Sequence, residues 1–304
     1  MNSATYPTAA EIIRGHDLTG RNVIVTGGTS GLGAETVRVL AMAGARVVAA
    51  GRSRGSGLPP SAEFGQLDLA SLASVRAFVR RWDRPLHLLV NNAGVMRTPF
   101  GRTVDGFELQ FGTNHLGHFA LTTGLLAALR AAGQARVVVL TSRGHRRADV
   151  DFEDPNYLRR PYDPWAAYGQ SKTANCLFAV GLTRRGLPAN AVAPGAIQTP
   201  LMRHLPMREL AARGWLDQDG NRVNGPGPEW KTVEEGAATT VWAAVAPELA
   251  GVGGKYLDNC AVGQVWTGEG EVPFGYYAPY ALDPGHAERL WTLSECLIAR
   301  VQAG

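Results

Sequence analysis

Six short runs rich in β-branched and apolar residues dominate residues 22–195 of this chain, and stretches of helical periodicity separate most of them. NVIVTGG (22–28), RVVAAGR (46–52), FGQLDL (64–69), LHLLVNNAG (86–94), ARVVVLTS (135–142) and ANAVAPG (189–195) read as strands. AETVRVLAMAGA (34–45), SLASVRAFVRRW (71–82) and a long FELQFGTNHLGHFALTTGLLAALRAA (107–132) read as helices, as does a segment around Tyr168 that runs to about Arg185. Strands that are apolar throughout, rather than alternating, belong to a parallel sheet covered on both faces. Right-handed crossovers place helices above and below it. The expected fold is α/β, a doubly wound parallel sheet with helices on both faces.

The remainder reads differently. Residues 200–230 are rich in Pro, Gly, Arg and Trp, and DQDGNRVNGPGPEW reads as loop. Thr232 and Glu235 fit a capping box, GGKYLD (253–258) adds a strand, and Asp283 followed by Pro284 opens a terminal helix. With no repeat and no dividing linker, one domain over 1–304 is the economical reading, with 203–304 as a substrate lid and C-terminal extension. A net charge of +4, with no basic stripe among aromatics, argues against a nucleic-acid partner. Cys176, Cys260 and Cys296 are widely spaced and odd in number, which suits a reducing compartment. MNSATYPTAAEIIRG carries no signal-peptide pattern and no apolar run reaches a membrane span, so a cytoplasmic protein is expected.

TGGTSGLG (26–33) lies at the first strand-to-helix turn, where a phosphate-cradling loop belongs. Gly27 and Gly31 let the backbone turn tightly against a pyrophosphate, Gly33 lets the helix approach the sheet, and free helix N–H groups supply the positive end. Thr29, Ser30 and Leu32 complete the loop. At the end of the second strand, AAGRSRG offers no acid for a ribose 2′-hydroxyl but Arg52 for a 2′-phosphate, which favours NADP(H) over NAD(H).

In YGQSK (168–172), Tyr168 and Lys172 share a helix face four residues apart. A tyrosine hydroxyl titrates near ~10, and a nearby cation lowers that by roughly 1–3 units. The pair is either a tuned acid/base or a core tyrosine beside a solvated lysine.

TGGTSGLG, NNAG (91–94), a serine closing VVVLTS (Ser142), YGQSK and PGAIQT (194–199) together resemble the short-chain dehydrogenase/reductase family in order and spacing, over residues 18–202. FGTNHLGHF (111–119) and the long gap from Ser142 to Tyr168 are similar to the retinol dehydrogenase and WW-domain oxidoreductase branch. The resemblance implies a Rossmann-type sheet and a small-molecule carbonyl or alcohol substrate. It implies Tyr168 as general acid or base, Lys172 lowering its pKa and holding the nicotinamide ribose, and Ser142 on the substrate oxygen. Asn114 would hold a water that relays protons to Lys172. Backbone around Asn91, Ala93 and Gly94 would line the adenosine side, Asp68 and Leu69 the adenine, Gly195 and Thr199 the nicotinamide. The family commonly dimerises through the long helix and the tyrosine helix, which makes a homodimer the assembly to test. One departure stands out: residues 52–68 are too short and too rich in Gly and Pro for the family's usual helix between strands two and three.

The expected activity is NADP(H)-dependent interconversion of a carbonyl and an alcohol on a largely apolar molecule. A non-redox epimerase, dehydratase or cyclase, and a nucleotide-sensing protein, are the rivals. HLGH (115–118) lacks a third ligand for a metal, and none is expected. Arg143, Arg146 and Arg147 are either a solvated face or a contact for an anionic substrate. Trp215, Trp230, Tyr276 and Tyr277 either line a lid or pack the tail.

Overall fold

The computed structural model describes residues 6–55, 57–205, 207–212, 217, 230–270 and 272–303. A short helix α1 (Ala9–Ile13), closed by a capping box between Thr8 and Glu11, precedes β1 (Asn22–Thr26), α2 (Gly31–Met42) and β2 (Arg46–Gly51). β3 (Glu63–Gln66), α3 (Leu72–Arg80) and β4 (Leu88–Asn91) follow. The next helical stretch divides into α4 (Leu109–Phe111), a π-turn over Gly112–Leu116, α5 (Gly117–Gly124) and α6 (Leu126–Ala131). β5 (Arg136–Leu140) leads through a 3-10 turn at Arg143–Arg147 to α7 (Pro164–Arg184) and β6 (Ala189–Ala193). Then come β7 (Ala196–Ile197), α8 (Met207–Ala212), β8 (Trp230–Lys231) and α9 (Val233–Val245). β9 (Tyr256–Asp258), β10 (Ala261–Val262), β11 (Gln264–Val265), β12 (Tyr276–Tyr277) and α10 (Pro284–Ala303) complete the order.

The main sheet runs β10-β9-β6-β5-β4-β1-β2-β3, parallel throughout except for β10. Val23 pairs with Val47 on one side and Leu88 on the other, so β1 sits at the centre. Because side chains alternate across a strand, β1 feeds two cores. Ile24 packs with Val75 of α3, Phe119 of α5, Phe178 of α7 and Trp291 of α10. Val23 and Val25 pack with Ile13 of α1, Val37 and Leu40 of α2 and Val241 of α9. Each such large apolar side chain contributes about 1.5–3 kcal/mol on burial. The sheet is therefore helix-covered on both faces, as its uniformly apolar strands require.

Local signals also hold. Thr232 and Glu235 form the expected capping box, and the Asp283 carboxylate accepts the His286 N–H at 2.7 Å where α10 begins. Asp163 caps α7, with Pro164 in its first turn. Between β2 and β3 no helix occurs among the described residues. One expectation needs correction: residues 107–132 are not one continuous helix, since a π-turn at 112–116 and a break at Leu125 interrupt it. Trp215 and most of DQDGNRVNGPGPEW lie outside the described residues.

Candidate active site

Strand order reverses between β1 and β4, and in open α/β sheets the crevice opens beyond the carboxyl ends of the strands at that point. A cavity of about 940 Å³ occupies it. At one end lies the turn from β1 into α2. Gly27 adopts φ +63°, a left-handed conformation that glycine takes without strain. A Cβ at Gly33 would stand 2.2 Å from the Gly27 carbonyl oxygen and 2.6 Å from Asn92 Nδ2, so only glycine fits. Gly27, Thr29, Ser30, Gly31, Leu32 and Gly33 all line the cavity. Ser30 precedes α2, yet its hydroxyl makes no capping bond to its own helix. Arg52, Asp68, Leu69, Ala93, Gly94, Gly195 and Thr199 line the same cavity. The Asn91 side chain is buried, and its Nδ2 donates to Thr122 Oγ1 at 2.9 Å.

The loop is tied to NNAG through Thr26. Its hydroxyl oxygen accepts the Asn92 and Ala93 N–H groups at 2.9 and 3.0 Å, while Asn92 Nδ2 donates to the Thr26 carbonyl at 2.7 Å. The same hydroxyl lies 2.8 Å from His118 Nε2, and His118 Nδ1 lies 2.9 Å from the Asn114 carbonyl oxygen. A carbonyl only accepts, so Nδ1 carries the hydrogen and Nε2 receives the Thr26 hydroxyl. Burial pushes the His118 pKa down to about 4, which keeps that neutral tautomer.

At the other end, α7 presents Tyr168 and Lys172 together, both buried except where they border the cavity. Ser142 stands two residues past β5 and its Oγ accepts the Gly144 N–H at 3.0 Å. A Cβ at Gly144 would approach Tyr168 Cε1 to 2.8 Å, so glycine there lets the ring lie against the turn. Burial pushes the Tyr168 phenol up to about 12, and its hydrogen bond with Ser142 works in the opposite direction. Burial also pushes Lys172 down to about 8. Lys172 Nζ donates to the Leu140 carbonyl at 3.0 Å and lies 5.7 Å from the Tyr168 ring centre. Desolvation is therefore the larger influence on Tyr168, and the phenol is held above its ordinary value rather than below it.

Asn114 lies behind this wall, in the π-turn. Its Oδ1 accepts the Val95 N–H at 2.8 Å, and its Nδ2 donates to the Val95 carbonyl and to Ser171 Oγ at 2.9 Å each. The side chain thus joins the segment after NNAG to α7, one residue from Lys172.

The arginines after Ser142 are all engaged structurally. Arg143 pairs with Asp258 at 3.2 Å, and Arg146 donates to the carbonyls of Val272, Pro273 and Tyr276. Arg147 sits over the Trp165 ring at 4.7 Å. Trp230 lines the cavity, whereas Tyr276 and Tyr277 pack against Trp266 and Tyr256. The apolar end also includes Met96, Trp165, Met202 and Phe274, which carry no sequence pattern that singles them out. Among the described residues no group of three His, Cys, Asp or Glu could hold a metal, and no helix is long and apolar enough to cross a membrane.

The family model described as short chain dehydrogenase matches residues 21–209. A "Probable oxidoreductase" of Streptomyces lividans is 50% identical over 290 residues, covering 90% of this chain and 96% of its own length. Polyprenol dehydrogenase of Mus musculus is 47% identical, covering 78% of this chain and 75% of its own. Retinol dehydrogenase 13 of the same species is 38% identical, covering 93% and 85%. A crystal structure of an uncharacterized protein from Mycobacterium Paratuberculosis superimposes with a TM-score of 0.71 at 34% identity, covering 97% of this chain and 98% of that one. A match over more than half the chain, with relatives this similar across most of its length, makes the protein an oxidoreductase of the short-chain dehydrogenase/reductase family, in its retinol dehydrogenase-like branch.

Proposed function

We propose that this chain interconverts a carbonyl and an alcohol on a largely apolar small molecule with NADP(H), using Tyr168 as the acid/base. The observation that carries the reading is that Ser142, Tyr168 and Lys172 line the same cavity as the glycine turn. The cradle fits a dinucleotide: glycine is obligatory at position 33, the Ser30 hydroxyl is not spent on its own helix, and the first residues of α2 line the cavity. Arg52 is exposed and lines the same cavity, where a guanidinium suits a 2′-phosphate. When bound, the nicotinamide supplies or accepts the electron pair of the redox step.

The chain's own groups then act as follows. Ser142 donates its hydroxyl hydrogen to the substrate oxygen and orients it beside the phenol. Tyr168, still protonated at neutral pH because burial holds it near 12, donates its proton to that oxygen during reduction. Lys172 carries positive charge near neutral pH and stabilises the phenolate left behind. Asn114 keeps α7 in register with the NNAG segment through Val95 and Ser171. The Met96, Trp165, Met202 and Phe274 side chains favour an apolar substrate, in keeping with relatives named for retinol and polyprenol. Trp230 and Phe274, beyond residue 203, also line the cavity, and in this reading the 203–304 segment acts with the rest of the chain as one domain.

The test is oxidation of NADPH against NADH by the purified protein over apolar ketones and aldehydes, with Tyr168→Phe alongside. The expected result is turnover with NADPH that falls at least ~100-fold in the variant, with cofactor affinity kept. A variant as active as the wild type would sink the role of Tyr168.

A further inference from the structure

The 3-10 turn after Ser142 does more than place the serine. Three of its side chains grip the C-terminal segment that runs from Val272 to Ala278. Arg146 donates to the carbonyls of Val272, Pro273 at 2.6 Å and Tyr276 at 3.0 Å. Arg143 is anchored on the buried Asp258 carboxylate at 3.2 Å, and its guanidinium lies 3.9 Å from the centre of the Phe274 ring. His145 Nδ1 lies 2.7 Å from the Ser142 carbonyl oxygen, while Nε2 accepts the Ala278 N–H at 3.2 Å.

These roles are forced. The Ser142 carbonyl only accepts and the Ala278 amide only donates, so the neutral ring with hydrogen on Nδ1 satisfies both. Tyr280 adds a hydroxyl donated to the His145 carbonyl at 2.9 Å. The segment therefore shares a hydrogen-bonded frame with Ser142, and displacing it strands buried polar groups, which is costly.

On this fixed segment, Phe274 is 49% exposed and lines the cavity. Arg143, which stacks on the ring, is held by a buried carboxylate, so the aromatic surface is pre-set rather than adaptable. A rigid aromatic wall discriminates by shape.

We infer that Phe274 is a specificity-determining residue: a fixed aromatic wall for a flat apolar group attached to the reacting carbon, kept in register with Ser142 by the 143–146 turn. Its place beside the reacting carbon rests on the redox reading above; the wall itself is tested by binding.

The experiment titrates the full-length protein, with saturating NADP⁺ so that no reduction occurs, with 6-propionyl-2-(dimethylamino)naphthalene, a fluorescent aryl ketone. Wild type, Phe274→Ala, Phe274→Leu and Arg146→Gln are compared. The expected result is blue-shifted emission with the wild type and a Kd raised about tenfold or more in Phe274→Ala, less in Phe274→Leu. In Arg146→Gln the Kd also rises, and amide exchange over residues 272–278 speeds up. Absence of binding by the wild type, or a Phe274→Ala Kd within twofold of it, would overturn the inference. Binding that depends on Phe274 without turnover of the ketone by NADPH supports the wall and counts against the redox reading alone.

Discussion

His118 shows how far one buried ring determines the neighbourhood of the site. In HLGH the pair looked like two metal-ligand candidates short of a third. The structure gives each histidine a hydrogen-bond partner: His115 Nε2 meets Ser294 Oγ at 2.8 Å, and His118 joins Thr26 to Asn114. Thr26 stands immediately before the glycine turn and also holds two NNAG amides, so His118 couples the dinucleotide loop to the π-turn. His118→Phe leaves the Thr26 hydroxyl and the Asn114 carbonyl without this partner. The Thr26 hydroxyl can still turn to the Val90 carbonyl at 3.4 Å, so at about 1–3 kcal/mol for one stranded group we expect a loss of roughly 1–3 kcal/mol in urea unfolding, and weaker cofactor binding from a loosened loop. An unfolding midpoint equal to the wild type's would show that the network carries little.

At the scale of elements, most of the fold was legible because its strands have only one reading. Runs such as NVIVT and RVVVL are buried along nearly their whole length, and no other context accepts them. The loop, NNAG and Ser142 were legible because each sits at or just past the end of a strand, and Tyr168 and Lys172 because a spacing of four puts them on one face of α7. The π-turn was not. An inserted residue barely disturbs a helical periodicity, and here its position is set by the contacts of Asn114 with Val95 and Ser171, residues distant in the chain. The 143–147 turn was half legible: its arginines read as a charged face, but their acceptors lie more than a hundred residues onward. Gly144 in that turn carried no recognisable signal, yet its bare backbone is what admits the Tyr168 ring. Gly144→Ala places a methyl against that ring and must push it from Ser142. We expect kcat to fall at least ~10-fold with the cofactor Kd and the far-ultraviolet spectrum kept. Unchanged kcat would mean that the ring tolerates the displacement.

Across the whole molecule, three buried histidines act as bolts between elements far apart in sequence. His115 joins the π-turn to α10 across 179 residues, His118 joins it to β1 across 92, and His145 joins the serine turn to the tail across 133. Burial depresses all three, His115 to about 3 and His118 and His145 to about 4, from an ordinary value of 6.5. Groups depressed in the folded state add stability above the unfolded pKa and lose it as pH falls through the folded one. Below about 6.5 the unfolded chain takes up protons that the native chain refuses, so stability falls from there towards pH 4. Each histidine contributes a slope of about 1.4 kcal/mol per pH unit across that window. Buried carboxyls such as Glu108, raised by desolvation, act in the opposite sense, so one variant must isolate the effect. His115→Gln offers Ser294 a hydrogen-bonding amide that does not titrate. Urea unfolding of both proteins from pH 7.5 to 4.5 should show the variant losing stability less steeply below pH 6.5, by about that slope. Parallel curves would mean that His115 is protonated in the folded protein too, and the bolt would then have to carry a charge that its apolar shell of Phe111, Phe119 and Phe178 gives no means to hold.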